Sequence, residues 1–172
     1  KAGRVAVVLP QGALFRQGAE ARIRTHALKA DKIEAVIGLA PNLFYGTGLA
    51  ACVLILRHEK PADRKGQVLF INGEDLMKKG RNQNTLEPEH ASKLFEAYAG
   101  FADIDGRAHV ATLNEIEGNA FNLNLHLYVA PADTGEKLTF ADALATLEAA
   151  QTAAQETRAA LEAELAKWGL PA

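Results

Sequence analysis

Four short apolar runs limit what this chain can fold into. They are Val5-Ala6-Val7-Val8-Leu9, Ile33-Glu34-Ala35-Val36-Ile37-Gly38-Leu39, Ala51-Cys52-Val53-Leu54-Ile55-Leu56 and Gln67-Val68-Leu69-Phe70-Ile71. Each is of strand length and mostly apolar, and reads as a strand. The first, stopped by Pro10 and Gly12, reads as a strand buried on both faces of a parallel sheet. Between the first two runs, residues 19–30 place Ile23, Ala27 and Ala30 on one helical stripe, with Arg22, Arg24, Lys29 and Asp31 outside it or at its edges. Strand, helix, strand is the signature of an α/β sheet. Only the loop Pro41-Asn42-Leu43-Phe44-Tyr45-Gly46-Thr47-Gly48 separates the second run from the third, so those two strands can pair antiparallel.

Further along, Pro88 suits a first helical position, and Ala91, Leu94, Phe95 and Tyr98 make a helical stripe to about Ala99. Ala108 to Thr112 and Leu127-Tyr128-Val129 are additional strand candidates. From Phe140 to Trp168 the chain is Ala- and Glu-rich, with Leu144, Leu147, Leu161, Leu165 and Trp168 at helical spacings and mostly alanine between. A narrow stripe of this kind suits close packing against another helix, in this chain or in a partner. A composition shift near Pro131 to Glu136 divides the sequence into residues 1–130 and a helical tail, 131–172.

With 172 residues, 48% of them hydrophobic, the chain can bury one sizeable core. Its formal charge of −2 neither supports nor excludes a nucleic-acid partner. Locally, Lys78, Lys79, Arg81, Asn82, Gln83 and Asn84 form the most basic and amide-rich stretch, able to meet phosphates by charge and base edges by amide groups; a solvated loop is the alternative. Cys52 is the only cysteine, which rules out a disulfide framework or a Cys-based zinc site and leaves it a small buried hydrophobe. His26, His58, His90, His109 and His126 lack metal-ligand spacing, so no metal is expected. Gly46 and Gly48 read as turn residues, and Asn119, Asn122 and Asn124 as turn-closing side chains. The opening residues are too short for a signal peptide and no apolar stretch approaches a membrane span, so a cytoplasmic protein is expected. The first strand begins within four residues of Lys1, which reads as a sheet lacking its start; a small complete α+β domain is the alternative.

Several segments resemble the modification subunits of type I restriction-modification systems. They are Gly3-Arg4-Val5-Ala6-Val7-Val8-Leu9-Pro10, Glu34-Ala35-Val36-Ile37-Gly38-Leu39, Pro41 to Gly48, Lys79-Gly80-Arg81-Asn82-Gln83-Asn84 and Asn119-Ala120-Phe121-Asn122-Leu123-Asn124. The likeness runs in the family's order from Gly3 to about Val129. It implies the carboxyl-terminal part of a Rossmann-like, S-adenosylmethionine-dependent methyltransferase sheet followed by a helical tail, from an enzyme that methylates the N6 amino group of adenine in DNA. The family's Gly-rich cofactor turn and its Asn-Pro-Pro-Phe or Asn-Pro-Pro-Tyr motif do not occur here, and Pro41-Asn42-Leu43-Phe44 does not substitute for the latter. No catalytic residue is therefore assigned. The resemblance suggests Phe44 and Tyr45 as stacking partners for an extruded target base; capping of the core beneath the loop is the alternative. It also implies that the stripe from Leu144 to Trp168 joins the specificity subunit, alongside the restriction subunit of the same system.

Two other classes compete with this reading: a non-catalytic module binding a helical partner, and an unrelated nucleotide-binding α/β domain, against which the lack of a phosphate loop argues. Dimerisation through an exposed sheet edge is a further expectation. Residues 1–172 alone are expected to transfer no methyl group, with S-adenosylmethionine used only by the full-length protein. Incorporation of labelled methyl into DNA by this chain alone would overturn that expectation.

Overall fold

A computed structural model describes residues 3–130 and 140–169. The chain divides into two compact units, Lys1–Asp133 and Thr134–Ala172. The composition shift at Pro131 to Glu136 lies outside the described residues.

The first unit is built on one five-stranded sheet: β1 (Arg4–Pro10), β2 (Ile33–Leu39), β3 (Ala51–Arg57), β4 (Gln67–Gly73) and β5 (Ala108–Thr112), in the spatial order β1-β3-β2-β4-β5. Its helices are α1 (Ala19–Lys29), α2 (Pro88–Gly100) and α3 (Leu113–Gly118). The short loop after β2 returns the chain antiparallel as β3, with Ile37 opposite Val53. β3 also pairs antiparallel with β1, so β1 and β2 run the same way with β3 between them. β4 then adds to the other edge of β2 in parallel, with Ile37 opposite Ile71, and β5 closes that side antiparallel.

β2 and β4 are buried along almost their whole length because both faces of the sheet are covered. On one face Leu28 of α1, Ile116 of α3 and the segment Leu123 to Val129 pack over Val36, Cys52, Val68 and Phe70. The rings of Phe70 and Tyr128 stack there at 3.9 Å between centroids. On the other face Leu94, Ala97 and Tyr98 of α2 cover Ala35, Ile37, Leu69 and Ile71. Cys52 is fully buried, and burial pushes its thiol up to about 11.

Four local expectations are corrected. β1 is an exposed edge strand, antiparallel to its neighbour, with Val5 and Val8 more than half exposed. Its apolar run reflects position beside β3, not burial on two faces. In α1, Ile23 is 70% exposed and Ala30 is also outside, while Arg24 and Leu28 are buried. Arg24 can go inward because its guanidinium donates to the carbonyls of Ala13 and Phe121 at 2.9 Å and of Arg16 at 3.3 Å. In α2, Leu94, Ala97 and Tyr98 face the sheet, and Ala91 and Phe95 are exposed. Leu127-Tyr128-Val129 form no strand: Leu125–Leu127 make a 3₁₀ turn, after which Tyr128 and Val129 plug the core.

One charged group lies at the centre of this unit. Glu34 is fully buried, at a register shift where β2 slips relative to β3. Its Oε1 accepts from Arg57 at 2.7 Å and Arg64 at 3.2 Å, and its Oε2 accepts from the Tyr98 hydroxyl at 2.9 Å. Burial pushes the carboxyl up, but the hydrogen bonds from Arg57, Tyr98 and Arg64 outweigh it and hold the group below the usual carboxylate range. A depressed folded-state value contributes stability at neutral pH that disappears as pH falls through and below that range.

At the outer edge of β5, Asp103 accepts from the Val110 amide at 2.7 Å, which blunts that edge. In the second unit, α4 (Phe140–Lys167) is a single helix of 28 residues, none of them buried. Among the described residues no helix is long and apolar enough to cross a membrane.

Tyr98→Phe removes one donor to the buried carboxylate and should cost about 2 kcal/mol of unfolding free energy at pH 7. Because that donor favours the ionised form, the variant should also lose stability at a higher pH on acidification. Urea titrations at pH 7 and pH 4 test both, and unchanged midpoints would show that the hydroxyl contributes nothing to Glu34.

Candidate functional site

Parallel pairing of β2 and β4 sets their carboxyl ends side by side, the end of an α/β sheet at which ligands gather. The loops that leave these ends, residues 40–50 and 74–87, therefore start as neighbours. Four hydrogen bonds join them. The Asn84 amide donates to the Asn42 carbonyl at 2.9 Å, and Asn42 Nδ2 to the Asn82 carbonyl at 3.2 Å. Asn84 Nδ2 reaches the Pro41 carbonyl at 2.9 Å, and Gln83 Nε2 the Leu43 carbonyl at 2.7 Å.

The second loop is closed by reciprocal backbone bonds between Lys78 and Thr85, at 2.9 and 3.0 Å. Its tip is tight enough that a Cβ on Gly80 would sit 2.0 Å from the Gln83 carbonyl oxygen. Gly46, at φ +75°, turns the first loop in the left-handed region that glycine tolerates, as its turn reading requires.

The stretches singled out in sequence, 44–45 and 78–84, thus form one surface. Tyr45 is 96% exposed and Phe44 is 41% exposed. The loop residue that packs on the core is Leu43, so Tyr45 is free of any capping duty. Phe44 stands between two hollows. One, of about 220 Å³, is lined by Asn42, Phe44, Tyr45, Gly46, Asn82 and Gln83. The other, of about 180 Å³, is walled by Val8, Leu9 and Pro10 of β1 together with Phe44, Thr47 and Leu49.

Lys79 and Arg81 project from the loop tip, exposed. Lys78 is exposed too and lies 3.9 Å from Glu87. Gln83 and Asn84 spend amide N–H groups on the loop junction, whereas the exposed Asn82 contributes its backbone carbonyl, so aromatic and cationic groups and the Asn82 amide are left on the surface. Asn122 and Asn124 close turns: each side-chain oxygen accepts from the amide two residues on, at 2.9 and 3.4 Å.

Other supports of this edge come from distant residues. Gln11 Nε2 donates to Glu74 at 2.6 Å, and Asn72 Oδ1 accepts from the Glu74 amide at 3.1 Å. Arg107 grips Asp75 with both terminal nitrogens and also donates to the Asn72 carbonyl at 2.7 Å. Those hydrogen bonds hold the Asp75 carboxyl below its ordinary range despite partial burial. No local signal marks these groups, because Gln11 and Glu74 are 63 positions apart and Arg107 and Asp75 are 32 apart. Among the described residues, no group of three or more His, Cys, Asp or Glu side chains is arranged to hold a metal ion.

A mixed sheet with helices on both faces and a loop pair at its carboxyl edge is the class of α/β methyltransferase-like domains. The chain belongs to the N-6 DNA Methylase family, whose model matches residues 1–137. It is 41% identical, over 138 residues, to the type I restriction enzyme MjaVII methylase subunit of Methanocaldococcus jannaschii, an alignment covering 78% of this chain and 24% of that protein. It is 30% identical to the HindI methylase subunit of Haemophilus influenzae over 96% of this chain and 39% of the relative. Among solved structures, the methyltransferase subunit of a type I restriction-modification system from Streptococcus thermophilus superposes with a TM-score of 0.70 at 40% identity, covering 75% of this chain and 27% of that one. The chain thus spans about a quarter to two fifths of the length of these proteins. The resemblance carried by the five sequence segments is confirmed at the level of family and fold.

Gly80→Ala should disrupt the loop junction at a cost of about 2 kcal/mol, since the opposing atom is backbone and cannot rotate away. Hydrogen exchange should show the amides of Lys78, Asn84 and Thr85 losing protection while β2 and β4 keep theirs. Unchanged protection at Thr85 would reject the tight closure.

Proposed function

We propose that the paired loops form a DNA-facing surface in a type I modification subunit that methylates adenine N6. The observation that supports this is the meeting of two separated stretches: exposed aromatic rings from one loop stand beside the cationic tip of the other. Extruding a base requires both properties, an aromatic face on which the base can stack and cations on the flanking phosphates. In this reading Phe44, beside both hollows, stacks on the target base, with Tyr45 next to it. Lys79 and Arg81, with Lys78, take phosphates, while Asn82, Gln83 and Asn84 hold the junction and border the DNA.

S-adenosylmethionine is the donor proposed for the whole protein. The residues here do not fit it: neither hollow bordering Phe44 contains a carboxylate to receive ribose hydroxyls, and no Gly-rich strand-turn occurs in the sequence. The two units fit a division into methyltransferase-domain residues, 1–130, and a packing tail, 131–172. α4, none of whose residues is buried, suits packing on another subunit, the specificity subunit in the first place, with the restriction subunit in the same cytoplasmic assembly. The outer edge of β1 is a second contact surface, available for pairing between copies of this chain.

The test uses the full-length protein. Replacing Lys79 and Arg81 with Ala should reduce the slope of log affinity against log salt by about two at most. Phe44→Ala should leave that slope unchanged while lowering affinity for the target site and the methylation rate. An unaltered slope in the double variant rejects the phosphate contacts, and unaltered target affinity and rate in Phe44→Ala reject the stacking role.

A further inference from the structure

We propose that Arg4, Arg57 and Arg64 form an anion site at the amino edge of the sheet, and that the site takes a phosphate group. It lies at the opposite end of β2 from the paired loops, about 20 Å away along the strand, and does not depend on what those loops bind.

The three side chains come from separate elements and gather around one ring. Arg4 on β1 stands directly opposite Arg57 on β3, so the two side chains leave the same face of the sheet. The Arg4 guanidinium lies 5.8 Å from the centre of the Tyr98 ring, and that of Arg64 lies 6.0 Å from it. Arg57 and Arg64 both donate to Glu34 Oε1, at 2.7 and 3.2 Å, while the Tyr98 hydroxyl occupies Oε2. Arg64 is held further by the Ala99 carbonyl at 3.3 Å and by the Phe101 ring, whose centre is 4.4 Å from its guanidinium. The donors are therefore fixed in place by the fold.

Two features of this cluster leave positive charge unanswered. Like charges directly opposite one another on neighbouring strands repel, and Arg4 faces Arg57 in that way. Among the described residues, Glu34 is the only carboxylate hydrogen-bonded to any of the three arginines. It is fully buried, and its two oxygens already receive three donors, so it does not serve Arg4. The second feature is Arg64 Nε, which is buried without a hydrogen-bond partner. The Asp63 carboxylate lies 4.0 Å from it, beyond hydrogen-bonding reach, and is 76% exposed. A buried donor left unbonded is destabilising. One anion resolves both: it separates Arg4 from Arg57 by charge and accepts from Arg64 Nε. Guanidinium N–H groups arranged as forks match the several acceptor oxygens of a phosphate group.

Inorganic phosphate titrated into the 172-residue chain, at pH 7 and constant ionic strength, tests this by NMR of the arginine Nε–H resonances. Those of Arg57 and Arg64 should shift saturably. Arg4→Gln should weaken the binding about tenfold by removing one charge-assisted donor. Arg4 is exposed, so this variant keeps the fold, whereas replacing Arg57 or Arg64 would strip a donor from Glu34. A DNA duplex without terminal phosphates separates the two sources of the group. If it moves the same resonances and Arg4→Gln reduces the effect, the phosphate belongs to a nucleic-acid backbone. If inorganic phosphate alone moves them, it belongs to a small phosphate-bearing molecule. No saturable shift with either probe, or undiminished phosphate binding by Arg4→Gln, would overturn the site.

Discussion

Parallel pairing of β2 with β4 is the constraint from which the candidate site follows. Two antiparallel neighbours would send their exit loops to opposite ends of the sheet. Because Ala35 to Leu39 align with Leu69 to Gly73 in the same direction, both exit loops begin at one edge. Asn42, Gln83 and Asn84 then need only short reaches to tie them together. The β3 hairpin arm returns on the far side of β2 and brings Pro10 of β1 to the same edge, opposite Ala51.

The pairing is stable because β2 is covered from every direction, and this places a demand on Glu34. An ionised carboxylate without partners in that position would cost several kcal/mol. Arg57 on β3, Arg64 after it and Tyr98 on α2 each supply a donor, so a single buried charge couples the hairpin, the connection to β4 and the covering helix. Arg24 does the same for the opposite face, linking α1 to the turns at Ala13 and Phe121. Buried charges with several backbone or side-chain partners specify one arrangement of elements more sharply than apolar contact does.

Surface chemistry divides along the same lines. At the carboxyl edge, the amide groups of Asn42, Gln83 and Asn84 are consumed internally, and aromatic and cationic groups remain outside. On α4, Phe140, Leu144, Leu147, Leu161 and Trp168 are exposed.

Strand and helix positions were readable from sequence because period and breakers are local: the four apolar runs, Pro88 and the Phe140 to Trp168 segment all form the elements their patterns imply. The β2 to β3 antiparallel turn also followed from loop length alone. Burial was less readable. Val5 to Leu9 and the Ile23 stripe look like core but lie outside, and Arg24 looks like surface but lies within, because burial depends on what packs on top. Sequence by itself determined the first four strands, α1, α2 and α4, the family, and the chemical character of residues 44–45 and 78–84. Only the tertiary structure decided that β1 is an edge, that Leu43 and not Tyr45 caps the core, and that the two loops form one surface. The reason is that these facts depend on pairings between residues some 40 or more positions apart, which no local pattern encodes.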